Sequence, residues 1–179
     1  LLLWRMGVGN WGALAGGLLF GLHPMRVESV AWATERKDVL FALFFFAALV
    51  YYVKWYKATN RSKQTQYYGW MVVLAVLSCF SKVQAVTLPL SMLALDYWFR
   101  RPLGFKLFLE KLPFWALSLT FGLINIYTLK LQGSTDDAYF TFLDRLCIGA
   151  YSFCVYLYKL ILPYPMSPLY PYAKPVPTI

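Results

Sequence analysis

His23-Pro-Met-Arg-Val-Glu-Ser-Val-Ala-Trp-Ala-Thr-Glu-Arg-Lys-Asp38 runs directly into Val39-Leu-Phe-Ala-Leu-Phe-Phe-Phe-Ala-Ala-Leu-Val-Tyr-Tyr-Val-Lys-Trp-Tyr56. The second half is apolar for long enough to cross a bilayer, whose hydrocarbon core of about 30 Å takes about 20 helical residues. It ends in aromatic and basic side chains of the kind that anchor a helix at the membrane surface. The first half packs seven ionisable side chains between two apolar segments. A charge held at bilayer depth is costly, so such residues sit at an interface, pair with one another or line a polar cavity. The stretch is therefore a candidate site.

The rest of the chain has the composition of a membrane protein. Of its 179 residues, 60% are hydrophobic, 20% aromatic and only 14% charged, and the mean hydropathy is +0.52, far from the balance of a soluble domain. The net charge of +9 does not point to nucleic acid, because Lys and Arg are scattered between apolar runs and form no single basic face with stacking aromatics. Membrane surface and lipid phosphate are the expected partners. Cys79, Cys147 and Cys154 lie in apolar surroundings with no CxxC and no His at ligand spacing, so they read as packing residues and no metal site is expected. The chain opens at Leu1 without an initiator Met, which reads as an internal fragment of a larger membrane domain.

Taken in order, the sequence predicts an all-α fold, a partial polytopic transmembrane helical bundle. Residues 7–22 form an apolar, Gly-rich helix, with Gly12, Gly16 and Gly17 suggesting close packing. Residues 23–38 form an outer juxtamembrane helix that Pro24 can open without losing a needed hydrogen bond. Residues 39–56 cross, and the polar run from Lys57 to Gln66 reads as a cytoplasmic loop. Helices over 67–80 and 85–98, the latter with Pro89 inside it, make a hairpin whose tip carries Lys82 and Gln84. Residues 112–131 cross again, a polar loop with Asp136 and Asp137 follows, and 143–162 either spans or lies along the interface. The Pro-rich stretch 163–179 is an outer loop, because repeated Pro is incompatible with a helix. Lys and Arg divide nearly evenly between the two sides. The positive-inside bias therefore orients the bundle only if Arg26, Arg36, Lys37 and Lys82 are held in a site.

Chemically, Arg36 offers a fork and Lys37 a point charge suited to phosphate, and Lys82 at the hairpin tip could reach the same anion. Glu28, Glu35 and Asp38 can orient those cations, and a carboxylate or His23 could handle a proton. The same residues would equally make a solvated loop of weak local ion pairs. Adjacent acids such as Asp136 and Asp137 are usually just solvated.

The order of motifs resembles a known family. The stretch His23 to Leu40 is similar to the His-Pro-x-x-x-Glu-Ser/Ala-Val...Arg-x-Asp-Val/Leu-Leu segment of the transmembrane and tetratricopeptide-repeat-containing O-mannosyltransferases and their prokaryotic relatives. Ser81-Lys-Val-Gln-Ala-Val-Thr-Leu-Pro89, Leu95-Asp-Tyr-Trp98 and Tyr156-Leu-Tyr-Lys-Leu-Ile-Leu-Pro...Ser167-Pro-Leu-Tyr-Pro171 follow in the family's order. The Ala-Trp-Ala-Thr-Glu-Arg-Lys-Asp form is closer to the bacterial branch than the Gly-Arg-Ala-Asp form of the animal cadherin mannosyltransferases.

That resemblance implies a C-type glycosyltransferase that moves a sugar from a polyprenyl-phosphate carrier to a protein or glycan acceptor on the non-cytoplasmic face. It implies that Arg36 and Lys82 bind the donor phosphate, that the loop with Tyr170 stands beside the site, and that the catalytic acid is expected before Leu1; Arg26, in the charged stretch, is a further supporting residue. A tetratricopeptide array would follow Ile179. The expected location is the bacterial inner membrane with the site facing the periplasm or exterior, or the endoplasmic reticulum membrane in a eukaryote. No cofactor is assigned, and a divalent metal in the full protein stays open. The competing readings are a non-catalytic anchor or lipid-carrier-binding module for a repeat protein, and a transporter built on a broken helix at Pro89.

Overall fold

Asn60 and Pro89 set the course of the central chain, one starting a helix and the other restarting it after a break. The computed structural model describes residues 1–24, 32, 35–102, 104–132 and 142–164. They form α1 (Leu2–Arg5), α2 (Asn10–Leu22), α3 (Arg36–Lys57), α4 (Arg61–Ser81), a 3-10 helix (Val83–Thr87), α5 (Leu88–Trp98), α6 (Phe105–Glu110), α7 (Leu112–Leu131) and α8 (Phe142–Ile161). No strand occurs among the described residues, and the fold is all-α.

Helix α3 carries Asp38 in its first turn and Lys54 and Lys57 in its last, charges that complement the helix dipole at each end. Ala58 is extended and ends it. Asn60 then caps α4, its side-chain oxygen accepting from the Ser62 N–H at 2.9 Å. Such a cap satisfies an otherwise orphaned donor, and it explains why α4 begins at Arg61 within the run expected to be a loop. The short link makes α3 and α4 antiparallel neighbours. At Lys82 the backbone is extended, the 3-10 turn reverses the chain, and α5 returns with Pro89 in its first turn. Pro89 thus opens a helix, where it costs no hydrogen bond, and does not interrupt one.

The core lies between these helices. Phe45, Ala48, Leu49, Tyr52 and Val53 of α3 meet Met71 and Ala75 of α4, Leu88, Met92 and Leu95 of α5, and Phe114 of α7. Outward faces are apolar as well: Leu119, Leu123, Ile124 and Ile126 of α7 are all exposed, as lipid contact requires. Helices α3 and α7 are long and apolar enough to cross a membrane, whereas α2 and the apolar part of α8, Leu146–Ile161, are shorter. The chain is that of an integral membrane protein. Of the α2 glycines, Gly16 leaves room for Leu3 of α1, where a Cβ would come within 2.6 Å of its side chain, while Gly17 faces open space.

One end of the bundle is tied by a buried acid. Asp96, at the end of α5, is fully buried. It accepts from Tyr52 of α3, from Lys111 before α7, and from Arg101 at 3.0 Å. Arg101 also donates to Glu110 at 2.9 Å. Burial alone would lower the Arg101 pKa, but its bonds to Asp96 and Glu110 prevail and hold it above the usual value. The backbone delivers Arg101 to this place. The Arg101 N–H donates to the Asp96 carbonyl at 2.9 Å and the Arg100 N–H to the Tyr97 carbonyl at 3.0 Å, the paired bonds of a helix-ending Schellman turn. Such a turn needs a left-handed residue, and Arg100 supplies it at φ 53°.

Two stability changes of opposite sign follow. Asp96→Ala strands the buried Lys111 ammonium and is expected to cost about 3–5 kcal/mol. Arg100→Gly relieves the left-handed backbone and is expected to gain about 1 kcal/mol. Denaturant unfolding of the purified protein in detergent micelles measures both.

Candidate functional site

The second polar cluster sits at the opposite end of α3. Asp38 and Tyr52 are fourteen residues apart on one helix, a separation of about 21 Å at 1.5 Å per residue. Here the Lys82 ammonium donates to Asp38 and stands 3.9 Å from Glu35, while Lys37 lies 3.3 Å from the other oxygen of Glu35. Lys82, Asp38 and Glu35 are each 23% exposed and Lys37 52%, so water reaches the whole cluster. The turn after α4 brings Lys82 to α3. Lys82 ends α4, and α4 packs along α3 so that its last residue meets the first turn of its neighbour.

Beside the cluster opens a cavity of about 360 Å³ with Lys82, Asp38, Gln84 and Thr87 at its polar side and Phe20, Phe41, Ala42, Phe45 and Phe46 as walls. Phe20 of α2 packs edge-on to Phe46 of α3 at 5.4 Å, which closes the apolar side. Glu35 directly precedes α3 and makes no side-chain cap bond to it. The arrangement sets the Lys82–Asp38 ion pair at the mouth of an apolar slot.

The structure brings together four of the residues expected to form the site: Glu35, Lys37, Asp38 and Lys82. Arg36 is exposed in the same first turn and makes no ion pair among the described residues. His23 lies elsewhere in contact terms, its Nε2 donating to the Leu160 carbonyl of α8 at 3.1 Å, so it joins α2 to α8. Arg26, Glu28 and Tyr170 lie outside the described residues, as do Asp136 and Asp137. Among the described residues no group of three His, Cys, Asp or Glu is placed to hold a metal ion. Sequence reasoning missed the Asp96 cluster. Its signal was an acid within an otherwise apolar helix, which demands a partner.

The two clusters differ in what they are worth. Partly exposed pairs contribute about 0–1 kcal/mol, so Lys82→Gln is expected to cost less than about 1 kcal/mol. A double-mutant cycle of Lys82→Gln with Asp38→Asn, read by unfolding in micelles, gives that coupling directly. A coupling as large as that of a buried pair would make the cluster structural.

Comparison with known proteins yields relatives of one kind. The chain is 35% identical over 80 residues, 44% of its length, to protein O-mannosyl-transferase F38B6.6 of Caenorhabditis elegans. It is 35% identical over 85 residues, 46% of its length, to protein O-mannosyl-transferase TMTC2 of Homo sapiens, and 31% identical over 78 residues, 42% of its length, to TMTC4 of Homo sapiens. In each case the match spans 10% of the relative. No family model and no solved structure matches the chain. The kinship read from the motifs is therefore found by direct comparison: the chain is similar in sequence to the protein O-mannosyl-transferases.

Proposed function

We propose that this segment forms the donor-phosphate site of a membrane glycosyltransferase that transfers a sugar from a polyprenyl-phosphate carrier to a protein or glycan acceptor. The observation that carries the reading is the meeting of Lys82 with Asp38 in the first turn of α3, at the mouth of an apolar-walled cavity. A prenyl chain suits phenylalanine walls, and its phosphate suits Lys82, Arg36 and Lys37. The similarity to protein O-mannosyl-transferases supports sugar transfer in general. The site would face the non-cytoplasmic side, which is the periplasm for a bacterial inner membrane and the lumen for the endoplasmic reticulum.

In this reaction the acceptor hydroxyl oxygen attacks the anomeric carbon, and the bond from that carbon to the phosphate oxygen breaks. The bonding electrons leave with the phosphate, which gains a full negative charge. Cations placed at that oxygen act where charge develops, so they lower the barrier more than they tighten donor binding. Lys82 starts out paired with Asp38 and Glu35, and a phosphate at the cavity mouth competes with those carboxylates for it. Arg36 is exposed and can meet a second phosphate oxygen. The acceptor proton goes to a general base.

Transfer from a synthetic polyprenyl-phosphate sugar, measured with the intact protein in proteoliposomes, tests the assignment. Lys82→Met is expected to lower kcat about 10²–10³-fold, the usual loss for one donor aimed at developing charge, and Arg36→Ala to lower it in the same direction. Wild-type rates in both variants would remove the donor-phosphate role. Tight donor binding without transfer in the unmodified protein would instead favour a lipid-carrier-binding module.

A further inference from the structure

A cationic cavity lies at the other end of α3. Its volume is about 280 Å³, and Arg5, Lys54, Lys57 and Lys63 line it together with Asn60 and Tyr67. No Asp or Glu is among its described lining residues, and none of the four cations makes an ion pair among the described residues. Lys57 donates to the Arg5 carbonyl at 2.6 Å, which fixes α1 beside the end of α3. Lys54 rests over the rings of Tyr51 and Tyr67, at 4.6 and 5.9 Å. The Arg5 Nε is shielded from solvent and has no hydrogen-bond partner among the described residues.

The position matters as much as the charge. Asp38 and Lys57 are nineteen residues apart on α3, about 28 Å along the axis, which is close to the thickness of the hydrocarbon core. The cavity therefore opens at the membrane surface opposite the Lys82 cluster. Tyr51, Tyr67 and Trp70 gather there, as interfacial aromatics do. We infer that this cavity binds the phosphate of an anionic membrane lipid headgroup. At Lys82 a phosphate must displace carboxylates. Here it meets cations parked only on rings and a carbonyl, and basic pockets between membrane helices commonly hold acidic headgroups. The inference is independent of the sugar-transfer reading.

The test is native mass spectrometry of the intact protein released from nanodiscs of phosphatidylcholine with phosphatidylglycerol, at one fixed salt concentration. The wild type is expected to retain phosphatidylglycerol in preference to phosphatidylcholine. Lys54→Gln/Lys63→Gln removes two partly or fully exposed cavity charges and is expected to weaken retention about thirtyfold. Arg100→Gln/Lys106→Gln removes two exposed charges outside the cavity and is expected to leave retention unchanged. Equal losses in the two double variants would mean general surface charge and overturn the site. Retention unchanged by Lys54→Gln/Lys63→Gln would overturn it as well. Excess inorganic phosphate is expected to leave the bound lipid in place, and its displacement of the lipid would assign the cavity to free phosphate and overturn the lipid proposal.

Discussion

Asp96 is the constraint on which the bundle depends. A carboxylate buried this deeply is tolerable only if its oxygens are fully occupied, and Tyr52, Lys111 and Arg101 occupy them. Those partners come from α3, from the start of α7 and from the turn after α5, so one acid fixes four parts of the chain relative to each other. Apolar packing between Phe45, Met71, Met92 and Phe114 supplies the bulk of the stabilisation, since it is non-directional and scales with buried area. Asp96 adds direction. Between helices that are apolar on most faces, a single satisfied polar network sets register, as polar residues in membrane bundles do.

That constraint reaches the candidate site through α3. A helix of 22 residues clamped at Tyr52 presents its first turn at a fixed place, and α4, packed along it, fixes Lys82. The two ends then follow different physics. At Asp96 the acid and Lys111 are dry and paired, and they hold the fold. At Lys82 they are wet, weakly coupled and replaceable, which is what a group that must change partners during a reaction requires. The buried polar network stands at one end of α3, and the proposed chemistry at the other.

The sequence showed the second end better than the first. Charged residues between two apolar runs announced Glu35 to Asp38, and an interruption in a hairpin announced Lys82; both are local signals. The helices over 39–56 and 112–131 were legible because length and apolarity alone mark a span, and both fall within the two helices able to cross. The Asp96 network joins positions as far apart as Tyr52 and Lys111, and no periodic pattern encodes such a pairing. The α4 start at Arg61 was hidden because a capped polar turn has the same composition as a loop. Pro89 read as a break in a helix, yet the extended backbone at Lys82 had already ended the helix before it.

In the proposed reaction a carrier phosphate sits against Lys82 beside the first turn of α3. Solid-state NMR of the intact protein in bilayers, with lysine side chains labelled with ¹⁵N and a polyprenyl phosphate bound, measures contact between the lysine nitrogen and ³¹P. A direct ¹⁵N–³¹P coupling is expected at Lys82 and is expected to vanish in Lys82→Met. A bound carrier whose phosphorus shows no coupling to Lys82 would contradict it.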